Sequence, residues 1–187
     1  MVTGGRQPIQ GNPYFDIAYE MGKIFAKNKY QLLTGIAKGV DENFAREAYE
    51  AVSNNGEDIR DYLKAYTGKN QRPHHTYWKI LVSKFRKREE GIPELVEECD
   101  LIFLLSGAKN TSYIGVLSLL ENKIVLPLSV TGGAASDLYS LILNRYDKVY
   151  GNLLPKSKFQ NLADIGRTPI EMAEVCFDLV KIISGHS

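Results

Sequence analysis

An excess of charge of one sign is missing from this sequence. Lys and Arg number 23 against 22 Asp and Glu, for a net charge of +1. Such a chain has no field to gather a polyanion, which speaks against a nucleic-acid binder. Long apolar runs are missing too: none approaches the ~20 residues needed to span a bilayer. The first thirteen positions are glycine, proline and polar residues around Met1, Val2 and Ile9, with no apolar run such as a secretory signal carries. There are two cysteines, Cys99 and Cys176, far apart in apolar helical contexts. They are expected to be buried reduced thiols, neither a disulfide nor metal ligands. His74 and His75 are adjacent, so they point to different sides of the chain, and they have no Cys, Asp or Glu partner at ligand spacing. No metal site, no membrane partner and a cytoplasmic location are the expectations. No internal repeat or low-complexity stretch is present. What remains is ordinary globular composition, 44% hydrophobic and 24% charged. At 187 residues the chain reads as one domain, 1–187, able to bury roughly 70% of its unfolded surface.

Within that domain, apolar runs alternate with segments of helical period. Strands are expected at Val2–Thr3, Tyr30–Thr34, Trp78–Ser83, Asp100–Ser106 and Lys123–Ser129. Helices are expected after Asn12-Pro13, from Gly39-Val40-Asp41, over Ile92–Cys99, Thr111–Leu120 and Asp137–Tyr146, and from Thr168. The last has Thr168 as cap, Pro169 next and Glu171 to complete a capping box. Glu57–Tyr66 carries weak helical periodicity, and Gly22 in the first helix predicts close packing on the sheet. The alternation implies an α/β fold: a doubly wound parallel sheet of about five strands, with helices on both faces. The first strand is short for a buried central strand. A native short strand and a domain excised from a longer polypeptide both fit that.

Three of the strands end in glycine-bearing turns that lead toward a helix: Gly4-Gly5-Arg6, Thr34-Gly35 and Ser106-Gly107-Ala108-Lys109-Asn110-Thr111. In a parallel sheet such turns share one edge, where backbone N–H groups and helix N-termini favour phosphate. Gly4, Gly5 and Arg6 can cradle a pyrophosphate, and Lys109, Asn110 and Thr111 open a helix. For these the alternatives are a tight turn with a solvated arginine and a simple helix cap. Arg86 and Arg88 can clamp a phosphate from the third strand, or simply form a solvated charged run with Glu89 and Glu90. Gly132-Gly133 follows the fifth strand. Asp137 just beyond can accept ribose hydroxyls or complement the helix dipole. The edge points to a nucleotide or a nucleotide-derived molecule.

There is no G-x-G-x-x-G and no Walker G-x-x-x-x-G-K-[ST]. The early Gly4-Gly5 turn, the strand ending Leu32-Leu33-Thr34-Gly35 and the Gly39-Val40-Asp41 helix start instead resemble the SLOG superfamily. That is the Rossmann-like group containing the LOG phosphoribohydrolases and the Smf DNA-processing proteins. LOG enzymes carry P-G-G-x-G-T-x-x-E; here Ser106 to Ile114 keeps the threonine as Thr111 but has Ala108 and Asn110 for two glycines and Ile114 for the glutamate. Isoleucine can neither move a proton nor stabilise an oxocarbenium ion. The combination is similar to the SLOG domains of Thoeris antiphage effectors. That resemblance implies a non-catalytic domain, without catalytic residue or cofactor, that binds a cyclic ADP-ribose isomer and switches on an upstream sirtuin-like NADase. It also implies a homo-oligomer, and the Thr131-Gly132-Gly133-Ala134-Ala135 turn as a further ligand-facing loop. The alternative is a LOG-type phosphoribohydrolase using Glu121 as substitute acid. An Smf-like DNA module fits the balanced charge least.

Overall fold

Short apolar runs closed by glycine form strands here because their side chains are buried on both faces by the helices between them. The computed structural model describes residues 1–7, 11–35, 38–53, 56–58, 60, 62–67, 79–82 and 89–185. The strands are β1 (Val2–Gly4), β2 (Leu32–Gly35), β3 (Leu63–Thr67), β4 (Lys79–Val82), β5 (Leu101–Leu105) and β6 (Ile124–Leu128). The helices are α1 (Tyr14–Lys27), α2 (Val40–Ser53), α3 (Ile92–Glu97), α4 (Lys109–Leu120), α5 (Gly133–Leu143), α6 (Tyr146–Val149), α7 (Lys156–Gln160) and α8 (Pro169–Ser184).

All strand pairs are parallel, in two three-stranded sheets ordered β1-β5-β6 and β2-β3-β4. Among the described residues six strands thus stand where about five were expected. The extra one is β3, in the stretch whose periodicity read as weakly helical; its pairing with both β2 and β4 overrides that weak local pattern. The two sheets meet where β2 lies beside β1. There the Thr34 hydroxyl donates to the Val2 carbonyl at 3.1 Å. β5 is buried from Ile102 to Leu105, as suits a strand covered on both faces. β6 is an edge strand, and Pro127 within it has no N–H to offer a further neighbour.

The helices fall into two packing groups. α1 packs on α2 and α8, and α4 packs on α3 and α5. Gly22 serves the first group rather than the sheet: a Cβ there would run into the Phe44 carbonyl of α2. Phe25, Tyr30 and Phe177 then lock α8 against α1, with ring centroids 5.8–6.0 Å apart. α8 begins as expected, with both hydrogen bonds of the Thr168–Glu171 capping box. Behind β6, Tyr139 stacks on Phe159 at 4.9 Å, and the Tyr150 hydroxyl donates to the Val125 carbonyl. Burial pushes the Tyr146 phenol up to about 12, and it donates to the Leu154 carbonyl at 2.5 Å. Cys99 and Cys176 are buried free thiols, pushed up by desolvation.

Candidate functional site

The carboxyl ends of β1 and β5 are neighbours, with Gly4 opposite Leu105. A Cβ on Gly4 would strike the Leu105 carbonyl oxygen, and the Gly5 N–H donates to that same oxygen at 2.9 Å. The Gly5 carbonyl in turn accepts the Val40 N–H at 3.1 Å, so the positive end of α2 is partly satisfied from within. Gly39, at φ +96, permits this approach, because a Cβ there would meet Gly5 and Arg6 backbone. Gly4, Gly5 and Gly39 therefore hold three backbone segments in contact. Arg6 emerges exposed from that junction, and the exposed Lys38 precedes it on α2's side.

The β5 turn is left-handed at two successive residues. Ser106 has φ +55 and Gly107 φ +90. For a serine that conformation costs about 1–2 kcal/mol, and strain of this kind concentrates at functional sites. Ser106 is nonetheless buried. α4 starts two residues later, with Ala108 as its N-cap and no side-chain capping bond. Thr111 does not cap it: this residue lies in the first turn, buried, where a Cβ on Gly107 would strike its hydroxyl. Lys109 and Asn110 are exposed, and α4's first turn contains no acid. The first N–H groups of a helix lack intrahelical partners, so this end presents partial positive charge beside a lysine.

The β6 turn is built differently. Gly132 and Gly133 have φ +71 and +57. However, the N–H groups of Ala134 and Ala135 donate to the carbonyls of Gly107 and Ser106, at 3.0 and 3.2 Å. The positive end of α5 is thus satisfied by the β5 turn. Gly133 is required for that contact, since a Cβ would meet the Gly107 carbonyl; at Gly132 a Cβ would meet nothing within 4 Å. Thr131, fully buried, accepts the Ser106 N–H on its hydroxyl at 2.6 Å and donates to the Leu128 carbonyl at 2.6 Å. Its own carbonyl accepts Asn12 Nδ2 at 2.9 Å.

The fold therefore gathers Gly4, Gly5, Arg6, Ser106, Gly107, Lys109, Asn110, Thr111, Gly132 and Gly133 on the loops of three adjacent strands. It uses Thr34 and Gly35 otherwise. Both are buried at the end of β2, and the Thr34 hydroxyl bridges to Val2. Asp137 is exposed, the fifth residue of α5. Arg86 and Arg88 lie outside the described residues. Ile114 is buried in the core, and Glu121 is the C-cap of α4, about 18 Å along the axis from Lys109. Sequence reasoning missed Asn12 and Lys38 as members of this edge, and it read Thr131 only as the first residue of a ligand-facing turn. Asn12 reads as a helix cap, and its side chain does accept the Tyr14 N–H at 3.2 Å, but its other end bridges to a loop 119 residues away.

A cavity of about 440 Å³ opens at the opposite edge, among Met1, Leu32, Phe103 and Ile183. Its lining is mainly apolar, and it lies at the amino ends of the strands. Ligands of parallel α/β sheets bind outside the carboxyl ends, so the glycine-turn edge is the stronger site. Among the described residues no group of three or more His, Cys, Asp or Glu could hold a metal ion, and no helix is long and apolar enough to cross a membrane.

No protein-family model matches the chain, and no curated protein matches it. Among solved structures, it is similar to the X-ray structure of TM1055, a Northeast Structural Genomics Consortium target. The TM-score is 0.62 over 74% of this chain and 78% of that one, at 21% identity. At that identity the likeness concerns the fold alone, and it places the chain's architecture as α/β and Rossmann-like.

Proposed function

We propose that this domain is a sensor for a cyclic ADP-ribose-type nucleotide. Its pyrophosphate would lie against the open N-terminus of α4, between Arg6 and Lys109. The observation that carries this reading is the contrast between helix ends on one edge. α2 and α5 donate N–H groups to neighbouring loops, whereas among the described residues the first N–H groups of α4 meet no such partner; neither α4 nor α5 has a side-chain cap, and α4 carries a lysine at its first position. Anions favour such an end, and the strained Ser106 turn shapes it.

We further read the two sheets as halves of one doubly wound sheet, β4-β3-β2-β1-β5-β6, with the ligand at the switch between β1 and β5. The sequence's resemblance to the SLOG domains of Thoeris effectors supports a role in bacterial antiphage defence. There the ligand would activate an upstream sirtuin-like NADase in a cytoplasmic homo-oligomer. Tyr113, Val116 and Leu120 form an exposed apolar stripe on α4, 47%, 40% and 72% accessible, which supports self-association.

A LOG-type phosphoribohydrolase is the second reading. It needs a carboxylate beside the ribose, and the two positions considered for it, Ile114 and Glu121, are a core residue and the far end of α4. Calorimetry with cyclic ADP-ribose isomers, followed by chromatography of the ligand, separates the readings. Binding with intact recovery is expected for the sensor. Base release from nucleoside monophosphates, with no binding of the cyclic compounds, would replace it with the enzyme.

A further inference from the structure

We propose that Thr131 is the positioning residue of the ligand turn, tying the β1, β5 and β6 loops into one unit. The inference rests on the reading of the Ser106–Lys109 turn as the phosphate site. Thr131 touches no candidate ligand group with a free side chain; it acts through the backbone. Its hydroxyl is used in both directions, accepting from Ser106 N–H and donating to the Leu128 carbonyl, each at 2.6 Å. The first bond falls on the one residue of this edge, among those described, that is left-handed without being glycine. A serine would relax out of that region unless its neighbours fixed both sides of it. The Thr131 hydroxyl fixes its N–H, and the Ala135 N–H fixes its carbonyl at 3.2 Å.

The third bond runs the other way. Asn12 Nδ2 donates to the Thr131 carbonyl at 2.9 Å, while Asn12 Oδ1 accepts the Tyr14 N–H at 3.2 Å. The start of α1 is thereby anchored to the same residue that sets the Lys109 turn, and from there the Tyr14 hydroxyl donates to the carbonyl of Gln7, next to Arg6. Thr131 is buried without solvent contact, so each lost bond leaves a polar group that water cannot easily serve. Cations on two different loops need a fixed spacing to grip one pyrophosphate, and Thr131 is where that spacing is set.

Thr131→Val keeps the shape and removes the hydroxyl; Thr131→Ser keeps the hydroxyl and removes a methyl. Amide hydrogen exchange at Ser106 and calorimetry with cyclic ADP-ribose are measured on both, in the full chain. Thr131→Val is expected to speed exchange at Ser106 and weaken binding, each about tenfold or more, with Thr131→Ser close to the parent in both. Equal effects of the two variants, or unchanged exchange in Thr131→Val, would overturn the proposal. Should Thr131→Val fail to fold, Asn12→Ser cuts the third bond while keeping an acceptor for Tyr14. It is expected to weaken cyclic ADP-ribose about tenfold at near-parent Tm, and unchanged affinity would overturn the tie between loops. Absence of binding by the parent protein would sink the sensor reading instead, and the exchange comparison would still decide the role of Thr131.

Discussion

The carbonyl of Gly107 accepts the N–H of Ala134 at 3.0 Å, so the β5 turn caps the helix that follows β6. Gly133 makes this possible, and its substitution is a packing lesion before it is a binding lesion. Gly133→Val should lose stability twice, through left-handed strain of about 1–2 kcal/mol and through collision with Gly107. Gly132→Ala carries backbone strain alone, of about 1–3 kcal/mol at φ +71 and ψ −165, because a Cβ there meets open space. Thermal melts are expected to rank the parent above Gly132→Ala and that above Gly133→Val, with roughly 2–4 °C per kcal/mol in a chain of this size. The reverse order for the two variants would show that the turns do not pack as described.

Charge reversal tests the open end of α4. A hydrogen bond to a charged group contributes roughly 1.5–3 kcal/mol, or about tenfold to a hundredfold in affinity. Lys109→Glu and Arg6→Glu are each expected to weaken cyclic ADP-ribose by at least that factor. Lys156→Glu is the control. That residue lies over the Tyr146 ring at 5.8 Å, well away from the glycine turns, and its reversal should leave affinity within about twofold. Equal losses from all three would mean that only net charge matters.

Hydrolysis should be absent. Nucleoside monophosphates incubated with the protein are expected to release no base above background, and Glu121→Ala should change nothing. Glu121 is the C-cap residue at the far end of α4, its backbone N–H donating to the Leu117 carbonyl, about 18 Å along the axis from Lys109. Turnover that Glu121→Ala abolishes would require another arrangement of the chain.

The α8 capping box gives a pH-dependent test. The Thr168 backbone N–H, and then its hydroxyl, hold the Glu171 carboxyl below its ordinary value of 4.5. A carboxyl lowered in the folded state stabilises above its unfolded pKa, and that contribution disappears as pH falls through the folded value. Glu171→Gln should therefore melt below the parent at pH 7, with the difference closing below about pH 4. Thr168→Ala, which removes the cap itself, should cost about 1 kcal/mol and keep a deficit in acid. A Glu171→Gln deficit that persists in acid would assign the effect to packing.

Features written in one short stretch were legible in the sequence. The Thr168–Glu171 box was, because its donors and acceptors are three residues apart; so was β5, an apolar run between Asp100 and Gly107. β3 was not. Leu63–Thr67 is five residues long with one lysine inside it, and its identity comes from β2 and β4 on either side. At the candidate site the glycines were legible as turns but not as partners. Gly133 was expected to make room for a phosphate, and the space it makes is taken by the Gly107 carbonyl. Thr34 lies next to the end of its strand, where Gly35 is still paired, and its hydroxyl is drawn to β1. Asn12 was legible as a helix cap and Thr131 as the start of a turn, but the bond between them, which spans 119 residues, was not.

The pairing of β1 with β5 sets the order in which the edge can exist during synthesis. Met1 bonds to Leu101 across 100 residues, so closing that loop costs about 4 kcal/mol of chain entropy before any cation meets another. At about 5–20 residues per second, β1 waits roughly 5–20 s on the ribosome for its partner. The candidate edge is thus completed only after most of the chain has emerged; an interrupted translation product ending before β5 lacks Lys109, and in it none of the three loops is joined.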